Sequence, residues 1–125
     1  FTNEHLNFYP SIAECLSVEK PNLALFSGVL SYLPDSTAPL KEVRRARIPH
    51  ILIDRNGTTR TDRDRITIQR VKADIYEASM PCRFFGRTRM IQALSPDYEL
   101  THSFLANDHS TRLVDFLGLV FSLKA

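Results

Sequence analysis

The sequence predicts an α/β domain in which parallel strands are finished by a C-terminal antiparallel hairpin. Three observations predict it. Leu23 to Phe26 is a continuous apolar run that breaks at Ser27-Gly28, resumes as Val29-Leu30 and stops at Pro34-Asp35. Such a run suits a strand buried on both faces. A second run of the same kind, His50-Ile-Leu-Ile-Asp54, follows after a helix-length connection, which joins parallel neighbours. The last two apolar segments, 98–104 and 116–123, are joined by too few residues for a helical crossover, so they are expected to pair antiparallel.

Each element can be justified in turn. Asn7-Phe-Tyr9 is compatible with a short strand. Ser11 and Glu14 have the spacing of a capping box, and Ile12, Cys15 and Leu16 follow at helical spacing, with Pro21 as the stop. After the strand at 22–26, Ser36 or Thr37 can start a second helix with Leu40, Val43 and Ala46 inward; Pro49 ends it. Asn56-Gly57 carries a turn signal, and residues 58–64 are polar enough to loop out. Arg65 to Val71 alternates, with Ile66 and Ile68 on one face and Thr67 and Gln69 on the other, as in a half-buried strand or a hairpin arm. Residues 72–86 have no clean period and read as an ordered insertion over the sheet edge. A helix is expected at about 87–95, with Met90, Ile91 and Leu94 inward.

Composition bounds the function. At 125 residues and 43% hydrophobic content the chain is one domain, 1–125, with a packed core. Charged residues at 24% argue against disorder. No apolar run approaches the ~18 residues of a membrane span. No signal peptide is visible, and a chain that starts at Phe1 is expected to be processed or cut from something longer. Cys15 and Cys82 match no metal or disulfide framework and read as the reduced thiols of a cytoplasmic protein. His5, His50, His102 and His109 show no ligand spacing, so no metal site is expected. A net charge of +2 does not imply nucleic acid. Even so, 12 of the 16 basic residues are arginine, and Arg55, Arg60, Arg63, Arg65 and Arg70 crowd into one span with Asp54, Asp62 and Asp64 among them. That span is either a self-paired loop or an anion-binding surface.

Chemistry is expected at the carboxyl ends of the parallel strands, where ligands sit in open α/β sheets. Asp54 and Arg55 end the second strand there. Arg55 suits a bidentate hold on an acidic or phosphorylated group, and Asp54 suits orientation or general-base work. An ion pair that fixes the loop is the alternative. Gln69 and Thr67 share a strand face and offer hydrogen bonds. Tyr76, Cys82, Phe84 and Phe85 form either a cap over an acceptor or part of the core. Arg83 beside Cys82 would lower a thiol pKa, yet a packed, unreactive thiol is the expectation.

In order and spacing, several blocks resemble a known pattern. They are Ser11-Ile-Ala-Glu-Cys-Leu16, Leu25 through Asp35, Ile51-Leu-Ile-Asp-Arg55, Asp64-Arg-Ile-Thr-Ile-Gln69, Ile75-Tyr-Glu-Ala-Ser79, Pro81-Cys82 with Phe84-Phe85, and Tyr98-Glu-Leu100. The chain resembles the C-terminal part of a class I S-adenosylmethionine-dependent methyltransferase. More narrowly, it resembles a methyltransferase family found among bacterial surface-polysaccharide genes. The resemblance spans about residues 7 to 105.

That resemblance implies a partial Rossmann-like methyltransferase sheet with its last strand inserted antiparallel. The N-terminal cofactor-binding half is absent, because the glycines at 28, 57, 86 and 118 are too scattered for a Gly-x-Gly turn. It implies that Ser27, Gly28, Val29 and Leu30 wall the S-adenosylmethionine site, with Tyr32, Gln69, Tyr76, Cys82 and Phe84 toward a small or carbohydrate-linked acceptor. The chain departs from the pattern at Arg83, where an aromatic is usual, and at Asn56-Gly57-Thr58, where a Thr-Pro-Phe-like turn is usual. Two further readings are an inactive interaction module that self-associates through an exposed sheet edge, and an anion binder built on the arginine-rich span.

Overall fold

The computed structural model describes residues 4–108 and 110–125. His109 therefore lies outside the described residues. The chain forms α1 (Ile12–Val18), β1 (Leu23–Ser27), a 3-10 turn (Leu30–Tyr32), α2 (Thr37–Arg45), β2 (His50–Thr59), β3 (Arg65–Arg70), β4 (Ser79–Gly86), α3 (Arg87–Leu94), β5 (Tyr98–Leu105) and β6 (Val114–Leu123). All six strands belong to one sheet. β1 and β2 run parallel in the register Leu23↔His50 to Ser27↔Asp54. β6 inserts antiparallel between β2 and β5. The mixed sheet with its C-terminal antiparallel hairpin is the architecture that the strand and connection pattern predicts.

The caps follow local chemistry. Ser11 Oγ accepts the Glu14 amide at 3.1 Å, so α1 starts where the capping box places it. At α2 the neighbouring Asp35 carboxylate accepts the Thr37 amide at 2.8 Å in place of a Ser36 side-chain cap. The Thr37 hydroxyl and amide together hold the Asp35 carboxyl below its ordinary range. α2 ends with Ile48 N bonded to Val43 O and Arg47 N bonded to Arg44 O. This is the paired closure that normally places glycine at the left-handed position. Here Arg47 takes that position, at φ 53°.

The core lies on one face of the sheet. The register aligns Phe26, Ile53 and Leu119 in one row and Ala24, Ile51, Phe121 and Leu100 in the next. Val43 of α2 and Met90 and Leu94 of α3 are buried with them, and Ile12 and Leu16 of α1 pack against the cluster. Burying each large side chain stabilises by roughly 1.5–3 kcal/mol. Tyr98 closes one end, donating its hydroxyl to Ile48 O at 2.7 Å.

Several sequence expectations are corrected. Residues 7–9 form no strand. β1 is buried on one face only: Leu23 and Leu25 are 47% and 58% exposed. The described helices cover the Ala24–Phe26 face. Asn56-Gly57 is no turn, because β2 continues to Thr59 through an irregularity at Ile53/Asn56. Thr58 and Thr59 are buried strand residues. The presumed insertion contains β4, which pairs with β3 antiparallel and with the end of β2 in parallel. Ala46 points outward. β3 presents Ile66 and Ile68 to solvent, each 64% exposed, and its polar face turns inward.

Candidate functional site

The parallel register puts Ser27, at the carboxyl end of β1, beside Asp54, which lies midway along β2 and does not end it, because the strand runs on to Thr59. The chain then turns at Gly28, whose φ of +65° suits glycine. Its amide donates to Asp54 O at 2.8 Å. On β2 the irregularity is made by Arg55, also left-handed at φ 55°. An arginine at a bulge position that favours glycine swings its side chain out over the rim.

Asn56 locks this rim and is 1% exposed. Its Nδ2 donates to Phe26 O at 2.9 Å and to Asp54 O at 2.8 Å. Its Oδ1 accepts the Ser31 amide at 3.3 Å and the Ser31 hydroxyl at 3.5 Å. One amide side chain thus ties together β1, the bulge and the 3-10 turn.

Between this rim and the β3–β4 hairpin lies a cleft of about 620 Å³. Tyr32 and Gln69 meet across it, the Tyr32 hydroxyl donating to Oε1 at 2.8 Å. Thr67 and Cys82 line the hairpin side. Phe84 and Phe116 form an edge-to-face pair on its wall, with ring centres 6.5 Å apart. Arg55 lays its guanidinium on Asp108, Nε to Oδ2 at 3.3 Å and Nη2 to Oδ1 at 3.4 Å. Arg55 and Asp108 also border a second hollow of about 490 Å³ that holds Asp54 and Phe104. The ion pair therefore stands between the two.

Placement of the sequence candidates is mixed. Ser27, Gly28, Tyr32, Arg55, Gln69, Cys82 and Phe84 all line the one cleft. Leu30 does not: it is fully buried in the core. Val29 and Tyr76 are exposed away from the cleft lining. Asp54 faces the second hollow, and its Oδ1 accepts the Arg55 amide at 2.8 Å. Phe85 belongs to the core.

The arginine-rich span is also corrected. Arg55 and Arg60 pair with Asp108 and Asp115, and Asp64 faces Arg83 and Arg89. The partners come from distant strands and loops, not from neighbours in sequence. Arg83 points away from the thiol, toward Asp64 and Ser36. Burial therefore dominates at Cys82 and pushes the thiol up, partly offset by Tyr32. Burial likewise raises the Tyr32 phenol. No cluster of metal-ligating side chains occurs among the described residues.

The sequence reading missed Asn56, Ser31, Asp108 and Phe116 as rim and cleft residues. Asn56 was hidden by its turn-like neighbour Gly57. Asp108 and Phe116 reach the cleft only through the β5–β6 pairing, which has no local signature.

No family model and no curated protein matches the chain. Solved structures share its fold, among them two of one domain. One is the N-terminal domain of EvdMO1 in the presence of SAH and D-fucose, at TM-score 0.57 and 14% identity, covering 87% of this chain and 50% of that one. The other is the same domain with SAH bound, at TM-score 0.51 and 15% identity, covering 82% and 46%. The chain thus spans about half the length of the structures it matches. The likeness shows a shared mixed α/β fold.

Proposed function

We propose that the chain is the acceptor-side part of an S-adenosylmethionine-dependent methyltransferase, acting on a small, neutral, hydroxyl-bearing acceptor such as a sugar. The observation that carries this reading is the parallel β1–β2 rim opening onto a polar cleft. The similar EvdMO1 domain, solved with SAH and D-fucose, supports it. The affiliation with methyltransferases of surface-polysaccharide genes belongs to the same proposal.

The residues present fit one wall of a cofactor site. A ligand can approach the backbone at Gly28, where a Cβ would meet nothing closer than 3.8 Å. Ser27 and Gly28 would hold the cofactor there through hydroxyl and backbone groups. Bound S-adenosylmethionine supplies an activated methyl group, so the protein's work is alignment and exclusion of water. No glycine-rich turn and no acidic ribose partner occur among the described residues, so the affinity expected of this polypeptide by itself is weaker than micromolar.

On the acceptor side, the cleft offers neutral donors and acceptors at Tyr32, Thr67 and Gln69 beside the Phe84–Phe116 pair. Arg55 is matched by Asp108, which favours a neutral acceptor over an anionic one. Asp108 is the carboxylate that lines the cleft. It is placed to take the proton a hydroxyl loses as it is methylated, with Arg55 as its positioning residue.

The test is transfer of labelled methyl from S-adenosylmethionine to monosaccharides by the protein extended with its upstream coding sequence. Gln69→Ala and Asp108→Asn are expected to lower transfer at least tenfold, Asp108→Asn chiefly in kcat. Absence of transfer together with absence of S-adenosylmethionine binding would overturn the reading. A second reading, a non-catalytic assembly module, is favoured by the open edge of β1 and its exposed Leu23 and Leu25.

A further inference from the structure

A separate hollow of about 380 Å³ lies at the opposite end of the β1–β2 pair from the cleft, lined by Lys41, Arg44, Arg45, Arg47 and Asp97. Four cations surround one carboxylate, and that carboxylate is already taken. Arg44 Nε donates to Asp97 Oδ2 at 2.8 Å, and Arg44 Nη1 donates to Ala93 O at 3.0 Å. Among the described residues, Lys41, Arg45 and Arg47 form no ion pair. The arginines that crowd the middle of the sequence include Arg55 and Arg60, both neutralised by carboxylates. At the end of α2, Lys41, Arg45 and Arg47 bring three cations without an ion pair around one hollow.

Part of this charge has an ordinary explanation. Cations in the last turn of a helix complement the carbonyl end of its dipole, which accounts for Arg44 and Arg45. It does not account for Arg47, which lies beyond the helix in the left-handed closing position where glycine is preferred. The backbone gains nothing from arginine there. The side chain it carries joins the other cations around the hollow.

We infer that Lys41, Arg45 and Arg47 form a binding site for a multiply charged phosphate group, distinct from the cleft. Two guanidinium forks and an ammonium suit tetrahedral phosphate oxygens, and Arg44, held in place by Asp97 and the Ala93 carbonyl, supplies a rigid wall. A soluble phosphate ester and an anionic lipid headgroup offer the same chemistry.

The test is calorimetric titration of the protein with inorganic pyrophosphate at low salt and at high salt. Binding is expected at low salt and should weaken as salt screens the charges. Arg47→Gly suits the left-handed backbone, so its Tm should match or exceed that of the parent while pyrophosphate binds about tenfold more weakly. The double variant Lys41→Gln, Arg45→Gln, altered only at surface positions, should weaken binding further. A second arm uses sedimentation with vesicles of phosphatidylcholine with and without phosphatidylglycerol. Vesicle binding that pyrophosphate displaces supports the site with a lipid source, and pyrophosphate binding without vesicle binding supports it with a soluble one. Three results would overturn the inference: no pyrophosphate binding at low salt, pyrophosphate affinity unchanged in Arg47→Gly, or vesicle binding that pyrophosphate does not displace.

Discussion

Asn56 is the residue on which the rim depends. It satisfies two backbone carbonyls and the Ser31 groups from a nearly inaccessible position. Asn56→Ala would remove the side-chain partner of the Phe26 carbonyl and of the Ser31 amide, while the Asp54 carbonyl keeps the Gly28 amide, at about 1–3 kcal/mol for each buried group that water does not reach. A loss of about 2–4 kcal/mol in urea unfolding is expected. Cys82 sets a pH dependence. Its folded-state pKa lies above the ordinary value because burial disfavours the thiolate. The folded protein therefore holds that proton more tightly than the unfolded chain does. The stability this contributes is complete below the ordinary thiol pKa of about 8.5 and is lost as pH rises toward the folded value. Urea midpoints should fall as pH rises above about 8.5, and the fall should be smaller in Cys82→Ala. At this scale the sequence was legible where chemistry is local: Ser11 and Glu14 announced their cap. Asn56 was not, because three of its four partner atoms, on Phe26 and Ser31, belong to a strand and a turn 30 and 25 residues away in the chain.

Among the elements, β1, the first half of β2, α1, α2, α3 and the β5–β6 hairpin were readable because each carries its own period or cap. β4 was not. It contains Pro81 and no alternation, and it is held as a strand by its two neighbours. Tertiary pairing overrode local pattern there. For β3 the alternation separated the Ile66/Ile68 face from the Thr67/Gln69 face, and the latter lines the cleft, although alternation does not itself say which face is covered. β1 is one element open to association among the described residues, being paired with β2 and presenting Leu23 and Leu25 to solvent. Sedimentation velocity is expected to show concentration-dependent association of the chain, and Leu25→Lys is expected to reduce it. A monomer at all concentrations would remove the self-association reading.

For the molecule as a whole, the parallel register is what converts two apolar runs into a site. Ser27 and Asp54, 27 residues apart in sequence, become neighbours because β1 and β2 pair in register from their first residues. That rim was legible in the sequence from the connection length alone. The cleft beside it was legible only in part, since the β3–β4 hairpin and the β5–β6 loop supply half its wall. The most direct measurement is an amide chemical-shift titration with millimolar S-adenosylhomocysteine, which detects weak contact. The account predicts that the amides of Gly28, Ser31 and Arg55 shift together while those of Arg47 and Asp97, at the other end of the sheet, stay still. An unmoved Gly28 amide, or shifts gathered away from the rim formed by Ser27 and Asp54, would contradict it.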